Sequence, residues 1–177
     1  QELIQILKKF DKKIVAGGPL FTTGHEEFLQ NVDSLVLGES EETLPQFVKD
    51  LAAGALKKIY RSNAWPDITK TPLPSWDLIN LKHYASMCVQ YSRGCPFNCE
   101  FCDIALLNGR FPRTKTKERI LEELDALYFR GWRNNVFLVD DNFIGNKTEL
   151  KKEILPAIVE WQERKKYPFT LCILVFL

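Results

Sequence analysis

Three cysteines, Cys95, Cys99 and Cys102, lie close together and have the residue type and spacing to bind a metal centre. A loop this short can bring three thiolates around one small site, and thiolates favour iron–sulfur clusters, zinc or copper(I). The chain has five cysteines in all, and an odd number with three crowded together is a poor disulfide framework. The trio therefore indicates metal binding or catalysis in a reducing compartment.

Zinc is the main alternative to iron, because it also binds thiolates. A structural zinc site usually takes four ligands as two separated pairs, and no second pair follows the trio. A ferredoxin-type cluster would need a fourth cysteine, but Cys172 is distant and is predicted to lie in the core of a strand. Three ligands on a four-iron cluster leave one iron open to a cofactor. A zinc-binding structural module and an iron–sulfur electron carrier both stay open as alternatives.

The elements predicted around the trio alternate between strands and helices. Residues 87–90 form a predicted buried strand that leads into the cysteine loop. After the loop we expect a helix capped by Thr116, a strand, a helix interrupted at Pro156 and a last strand: residues 117–129, 136–139, 147–164 and 169–176. This order opens a (β/α) barrel, whose chemistry lies at the carboxyl ends of its strands. A complete barrel needs more strands, so we expect the chain to stop partway through this domain.

The N-terminal part of the chain shows a similar alternation. Short strands predicted at residues 14–16 and 34–37 end in glycine-containing loops, Gly17-Gly18 and Gly38-Glu39. Ser40 is predicted to open a helix that ends near Gly54. This order is typical of a parallel α/β layer. The prolines between residues 62 and 75 then predict a linker.

The cysteine motif, Cys-x3-Cys-x-Phe-Cys entered through Ser-Arg-Gly, resembles the signature of radical S-adenosylmethionine (radical SAM) enzymes. The resemblance implies that the trio holds a [4Fe–4S] cluster whose open iron binds SAM. It also implies reductive cleavage of SAM to a 5′-deoxyadenosyl radical, with Phe101 flanking the adenine. The sequence from Asp140 to Phe143 is similar to a motif of cobalamin-linked members, which makes Asp141 or Asn142 a candidate to face the cofactor cavity. An ordinary polar turn explains Asp141 equally well.

The N-terminal motifs resemble the end of a cobalamin-binding Rossmann-like domain. This resemblance implies that Gly17, Gly18, Gly38 and Glu39 line the crevice for the nucleotide tail of cobalamin, at the carboxyl ends of the strands. A generic α/β domain is the alternative. The predicted fold is thus α/β: the C-terminal part of a cobalamin-binding domain, a linker and the first half of a radical SAM core built as a partial barrel, over residues 1–54, 55–82 and 83–177.

The resemblance implies an enzyme, most simply a cobalamin-dependent methyltransferase acting on an unactivated carbon of a small-molecule or lipid-like substrate. It also implies a reducing electron donor such as flavodoxin or ferredoxin. A formal net charge of +1 argues against nucleic-acid binding, and no apolar run is long enough to span a bilayer. The basic run over residues 110–119 is predicted to be a solvated helix entrance. Because the chain begins at Gln1 with no visible secretory signal, we expect a cytoplasmic protein and a fragment. We expect this fragment to be inactive alone, because it lacks the later strands of the barrel.

Overall fold

The computed structural model describes residues 2–143 and 146–173. The chain divides into two compact units, one running to Pro66 and including Leu106–Asn108, the other made of the remaining residues from Asp67 onward. Each unit is built on a three-stranded sheet whose neighbouring strands are parallel. The predicted α/β class is therefore confirmed.

The sheet of the first unit has the strand order β1-β2-β3. Its helices and strands are α1 Glu2–Leu7, β1 Val15–Gly17, α2 Pro19–Gly24, β2 Ser34–Leu37, α3 Leu44–Ala52 and β3 Ile59–Arg61. The central strand is the most buried, and its Leu35 and Leu37 side chains are fully enclosed. β1 and β3 both pair with β2, so the three strands form one continuous sheet. The predicted cofactor loops, Gly17-Gly18 and Gly38-Glu39, therefore lie at strands of the same sheet.

The first unit extends beyond the boundary that the sequence predicts. Residues 55–82 are predicted as a linker, yet they contain β3, which pairs with β2 in the register Leu35 to Ile59. Tyr60 is buried and donates a hydrogen bond of 2.8 Å from its hydroxyl to Asp50 in α3. A strand of three residues leaves almost no periodic pattern, so only its pairing with β2 reveals it.

Two helices of the first unit begin at residues that the local sequence does not reveal. Residues 22–31 are a polar stretch in the sequence, but α2 begins earlier, at Pro19, and runs into this stretch. Proline at the start of a helix costs no hydrogen bond, since the first amides have no intrahelical partner. The helix predicted to open at Ser40 instead begins at Leu44, where the backbone N–H of Leu44 donates to the Ser40 carbonyl.

The second unit contains a parallel sheet of order β4-β7-β8 and a small antiparallel pair, β5 with β6. Its elements are β4 Ser86–Val89, β5 Ser92–Arg93, α4 Ile104–Asn108, β6 Arg113–Thr114, α5 Lys117–Phe129, β7 Asn135–Leu138, α6 Lys147–Glu149, α7 Leu155–Arg164 and β8 Thr170–Ile173. A short π-helix, Leu150–Ile154, joins α6 to α7. The end of α4 is grouped with the first unit.

The two long helices of the second unit form where the sequence predicts them. Thr116 caps α5 by accepting a hydrogen bond of 3.3 Å from the Arg119 N–H, and Ile120, Leu124 and Leu127 form a fully buried stripe. The interruption predicted at Pro156 is present as the π-helix that ends just before α7. Proline removes one backbone donor from the ladder, and the wider turn accommodates that loss.

Among the described residues, helices cover only one face of the second sheet. Met87 and Val89 of β4 are buried with the helices, whereas Cys88 is exposed on the other face. Cys88 lies in register with Phe137 of β7 and Cys172 of β8, and Cys172 is exposed too. The prediction that Cys172 is a core residue is therefore wrong, because its side chain alternates to the uncovered face. Residues 174–177 of the predicted last strand lie outside the described residues.

Candidate functional site

The three cysteines lie on one loop whose two ends are paired. The loop leaves β5 and returns in β6, and Ser92 and Arg93 pair with Thr114 and Arg113, respectively. Because these strands are antiparallel, the loop is closed at its base like a hairpin. The loop also begins shortly after the carboxyl end of β4, which is the place that the sequence predicts for chemistry.

The thiols themselves are accessible and unbridged. Cys95 is half-buried, Cys99 and Cys102 are exposed, and none of them forms a disulfide. Within the loop, the Cys95 N–H donates to the Gly109 carbonyl over 3.1 Å, and the Cys102 N–H donates to the Cys99 carbonyl over 3.1 Å. In the part of the chain that the structure describes, no three His, Cys, Asp or Glu side chains already surround a single metal-ion position.

Two carboxylates after β7 hold the start of the cysteine loop. Asp140 is buried and accepts hydrogen bonds from both the backbone N–H and the hydroxyl of Ser92, the latter over 2.8 Å. Asp141 accepts a hydrogen bond of 2.8 Å from the Gly94 N–H, the amide just before Cys95. Burial raises the pKa of Asp140 above its ordinary value, although the hydrogen bonds from Ser92 act in the opposite direction.

The other end of the loop is held by different partners. The Thr114 hydroxyl donates to Glu149 over 3.1 Å, and the Lys115 N–H donates to the Tyr91 carbonyl over 2.9 Å. Lys115 and Glu123 form an ion pair of 2.5 Å with both side chains almost fully buried. The prediction that the whole basic run is solvated is therefore wrong for Lys115, since α5 supplies it with a buried partner.

Phe101 lies on the cysteine loop with 92% of its surface exposed. The ring is therefore free of protein packing and available to a planar ligand. Beside the loop, an open cavity is lined by Pro96, Phe97, Pro112 and Asn142, so it adjoins both the cysteine loop and the segment after β7. Phe101 and Asp141 share the second unit with the trio, as the sequence predicts, and their contact with a cofactor stays a prediction.

The predicted cofactor loops of the first unit meet around one hydroxyl. Thr22 in α2 accepts a hydrogen bond of 2.9 Å from the Gly38 N–H and donates one of 2.9 Å to the Gly18 carbonyl. A side chain at Gly17 would clash with the Val36 carbonyl oxygen at 2.6 Å, so only glycine fits this close approach. Gly38 and Glu39 line a crevice together with Thr22, at the carboxyl ends of the strands. The structure thus brings all four predicted residues to one edge of the sheet.

The donor sets fit the groups that the sequence predicts. Three free thiols on one accessible loop, without a fourth cysteine on that loop, match a cluster held at three corners. The first unit offers backbone amides and open space at the carboxyl ends of its strands, where α/β sheets bind nucleotide-like ligands.

Comparison with protein families assigns the region around this loop. Residues 89–173 match the model of the radical SAM superfamily. The match begins at the end of β4 and includes all three cysteines, Phe101 and Asp141.

Relatives of known sequence extend the similarity over both units. An uncharacterized methyltransferase of Synechocystis is 51% identical over 170 residues, which are 95% of this chain and 31% of that protein. The hopanoid C-2 methylase of Rhodopseudomonas palustris is 36% identical over 166 residues, which are 92% of this chain and 31% of that protein. The chain therefore spans about a third of the length of these relatives.

A solved structure shares the fold. The radical SAM methyltransferase TsrM of Kitasatospora setae, determined with cobalamin and a [4Fe–4S] cluster bound, matches with a TM-score of 0.71. The match covers 94% of this chain and 38% of that one, at 15% identity. At this identity the likeness shows the fold alone.

Among the described helices, none has the length and apolar character needed to cross a membrane.

Sequence reasoning missed three groups that shape these sites. Asp140 looks like part of a polar turn, although its partner Ser92 lies 48 residues earlier. Thr22 lies in a stretch without apolar periodicity, and Lys115 resembles its exposed basic neighbours. Their roles depend on contacts between distant segments, and no local pattern reports such contacts.

Proposed function

We propose that this chain forms part of a cobalamin-dependent radical SAM methyltransferase. The observation that carries the proposal is the loop of three free thiols after β4, in the region that matches the radical SAM superfamily. When bound, a [4Fe–4S] cluster on this loop supplies the electron that splits SAM into methionine and a 5′-deoxyadenosyl radical.

Each predicted site residue of the second unit then has a proposed role. Cys95, Cys99 and Cys102 would hold the cluster through their thiolates, and the iron that they do not bind would be available to SAM. Phe101 presents an unpacked ring to the adenine. Asp141 lies at the edge of the same site, where its carboxylate fixes the Gly94 amide.

The first unit is proposed to hold the nucleotide tail of cobalamin. Gly17 ends β1 and Gly18 follows it, Gly38 and Glu39 follow β2, and the two loops are joined through the Thr22 hydroxyl. Bound cobalamin would supply the methyl group. The likeness in fold to a structure that contains cobalamin supports this assignment.

The substrate is proposed to be a small or lipid-like molecule with an unactivated carbon. This proposal draws on the similarity to the hopanoid C-2 methylase and to bacteriochlorophyllide methyltransferases of Chlorobaculum tepidum. We also propose a cytoplasmic location and a donor such as flavodoxin or ferredoxin, since free thiols and a low-potential cluster both need reducing surroundings.

The test is to reconstitute the protein anaerobically with iron and sulfide, reduce it with dithionite and add SAM. We expect a brown protein whose reduced-cluster EPR spectrum changes when SAM binds, because SAM reaches the open iron. Formation of 5′-deoxyadenosine by the full-length protein would then report the radical chemistry. Cys172→Ala serves as the control, since Cys172 lies on β8 and not on the cysteine loop.

Two other outcomes would replace this proposal. A colourless protein with stoichiometric zinc would indicate a structural metal module. A stable cluster whose EPR spectrum ignores SAM would indicate an electron carrier.

A further inference from the structure

Three carboxylates in the segment after β7 accept hydrogen bonds from the two ends of the cysteine loop. All three lie far from the cysteines in the sequence. Asp140 accepts hydrogen bonds from Ser92, and Asp141 accepts one from Gly94, at the start of the loop. Glu149 accepts one from Thr114 in β6, where the loop ends. We call these three residues the carboxylate clamp. Both ends of the loop are therefore fixed to the same distant segment.

The clamp fixes the backbone directly before Cys95, the first of the three cysteines. Gly94 has a φ of 98°, a left-handed conformation that residues with a side chain rarely adopt. Its N–H is bound to Asp141 at 2.8 Å, so the carboxylate holds this conformation directly before Cys95. Two residues earlier, Ser92 is almost fully buried and gives both its donors to one oxygen of Asp140.

The returning end is held by a smaller network. Asn146 donates to Glu149 over 2.7 Å, and the same oxygen of Glu149 accepts the Thr114 hydroxyl. Between these ends, Cys99 and Cys102 are exposed, whereas the base of the loop is held by strand pairing and by the carboxylates.

Groups that orient metal ligands from one step away control how firmly the metal is held, and their loss typically lowers metal affinity by about 10–100-fold. We propose that Asp140 and Asp141, assisted by Glu149, are positioning residues that set the geometry of the cysteine trio and so the retention of its cluster. The inference rests on the proposed function, because it assumes that the trio binds the cluster. Each clamp residue contacts the loop through a hydrogen bond.

The experiment compares Asp140→Ala and Asp141→Ala with wild type after anaerobic reconstitution of the full-length protein. The rate of cluster loss to a chelator is followed by absorbance, and the reduced cluster is recorded by EPR. Asp77→Ala is the matched control, because Asp77 is an exposed carboxylate of the same unit. Asp141→Asn keeps an oxygen acceptor of the same shape and tests rescue. The unfolding midpoint of each apo protein monitors general stability.

We expect Asp140→Ala and Asp141→Ala to lose the cluster about tenfold faster than wild type or more, with an altered EPR line shape. Asp77→Ala should lose it at the wild-type rate. Asp141→Asn should recover much of the stability of the cluster. Loss rates equal to that of Asp77→Ala would overturn the clamp. Faster loss that only follows a lowered apo midpoint, with unchanged EPR, would overturn it as well. A wild-type protein that takes up no iron would overturn the proposed function too, whereas a normal wild-type cluster with unaffected variants overturns the clamp alone.

Discussion

Replacing Lys115 with Met should strongly destabilise the second unit, because it leaves a charge buried without its partner. Lys115 and Glu123 are 4% and 1% exposed, and their nitrogen and oxygen are 2.5 Å apart. Removing one member of such a pair costs about 3–5 kcal/mol, mostly through the uncompensated charge that remains. We therefore expect the free energy of unfolding of the apo protein to fall by about that amount.

The double variant separates this mechanism from a simple loss of packing. Lys115→Met together with Glu123→Leu removes both charges and keeps similar volumes, and such exchanges are often neutral or stabilising. We expect the double variant to be more stable than Lys115→Met alone, with a coupling free energy of about 2 kcal/mol or more.

Urea unfolding followed by circular dichroism and tryptophan fluorescence measures both quantities. Lys117→Met, two residues away in an exposed ion pair, should leave the midpoint almost unchanged. The argument from buried charge would be refuted if Lys115→Met lowered the free energy of unfolding no more than Lys117→Met does. It would also be refuted if the double variant lost as much stability as Lys115→Met and Glu123→Leu lose separately, added together.

Two further variants test other parts of the account. Thr22→Val removes the hydroxyl that joins the Gly18 and Gly38 loops, so the dissociation constant of cobalamin, measured by spectral titration, should rise about fivefold, which corresponds to about 1 kcal/mol for one hydrogen bond. Thr23→Val is its control, because that hydroxyl donates to the Pro19 and Leu20 carbonyls of its own helix, and an equal effect of both would contradict the assignment. Asp140→Asn should change the pH dependence of unfolding of the apo protein. Because the native pKa of Asp140 is raised above 3.8, ionisation opposes folding, and wild type should lose stability relative to Asp140→Asn as the pH rises from 3.8 through the native value; parallel pH profiles would show that this carboxyl is not desolvated.

The sequence predicts those parts of the fold that have a local signal. The bounds of α5 follow from Thr116 and from a stripe of apolar residues, and the structure reproduces both. The strand β2 is also predicted residue for residue, because four adjacent residues rich in apolar side chains end at a glycine. The position of the cysteine loop is predicted as well, because the loop lies between the predicted strand β4 and the predicted helix α5.

Features that depend on distant contacts could not be predicted in this way. β3 exists because β2 has an open edge to pair with, and Ile59–Arg61 alone has no strand pattern. The bond between Ser92 and Asp140 spans 48 residues and requires that β4 and β7 be neighbours in the sheet. Cys172 was misassigned because alternation in a strand does not say which of its two faces a helix will cover.

Iron and sulfide analysis of cysteine variants tests the central claim most directly. Wild type, reconstituted anaerobically and desalted, should hold about four irons and four sulfides per chain, as a [4Fe–4S] cluster requires. Alanine at Cys95, Cys99 or Cys102 should abolish or sharply reduce that content, and Cys172→Ala should not. A wild-type protein without iron, or any variant of the trio with undiminished iron, would contradict the account.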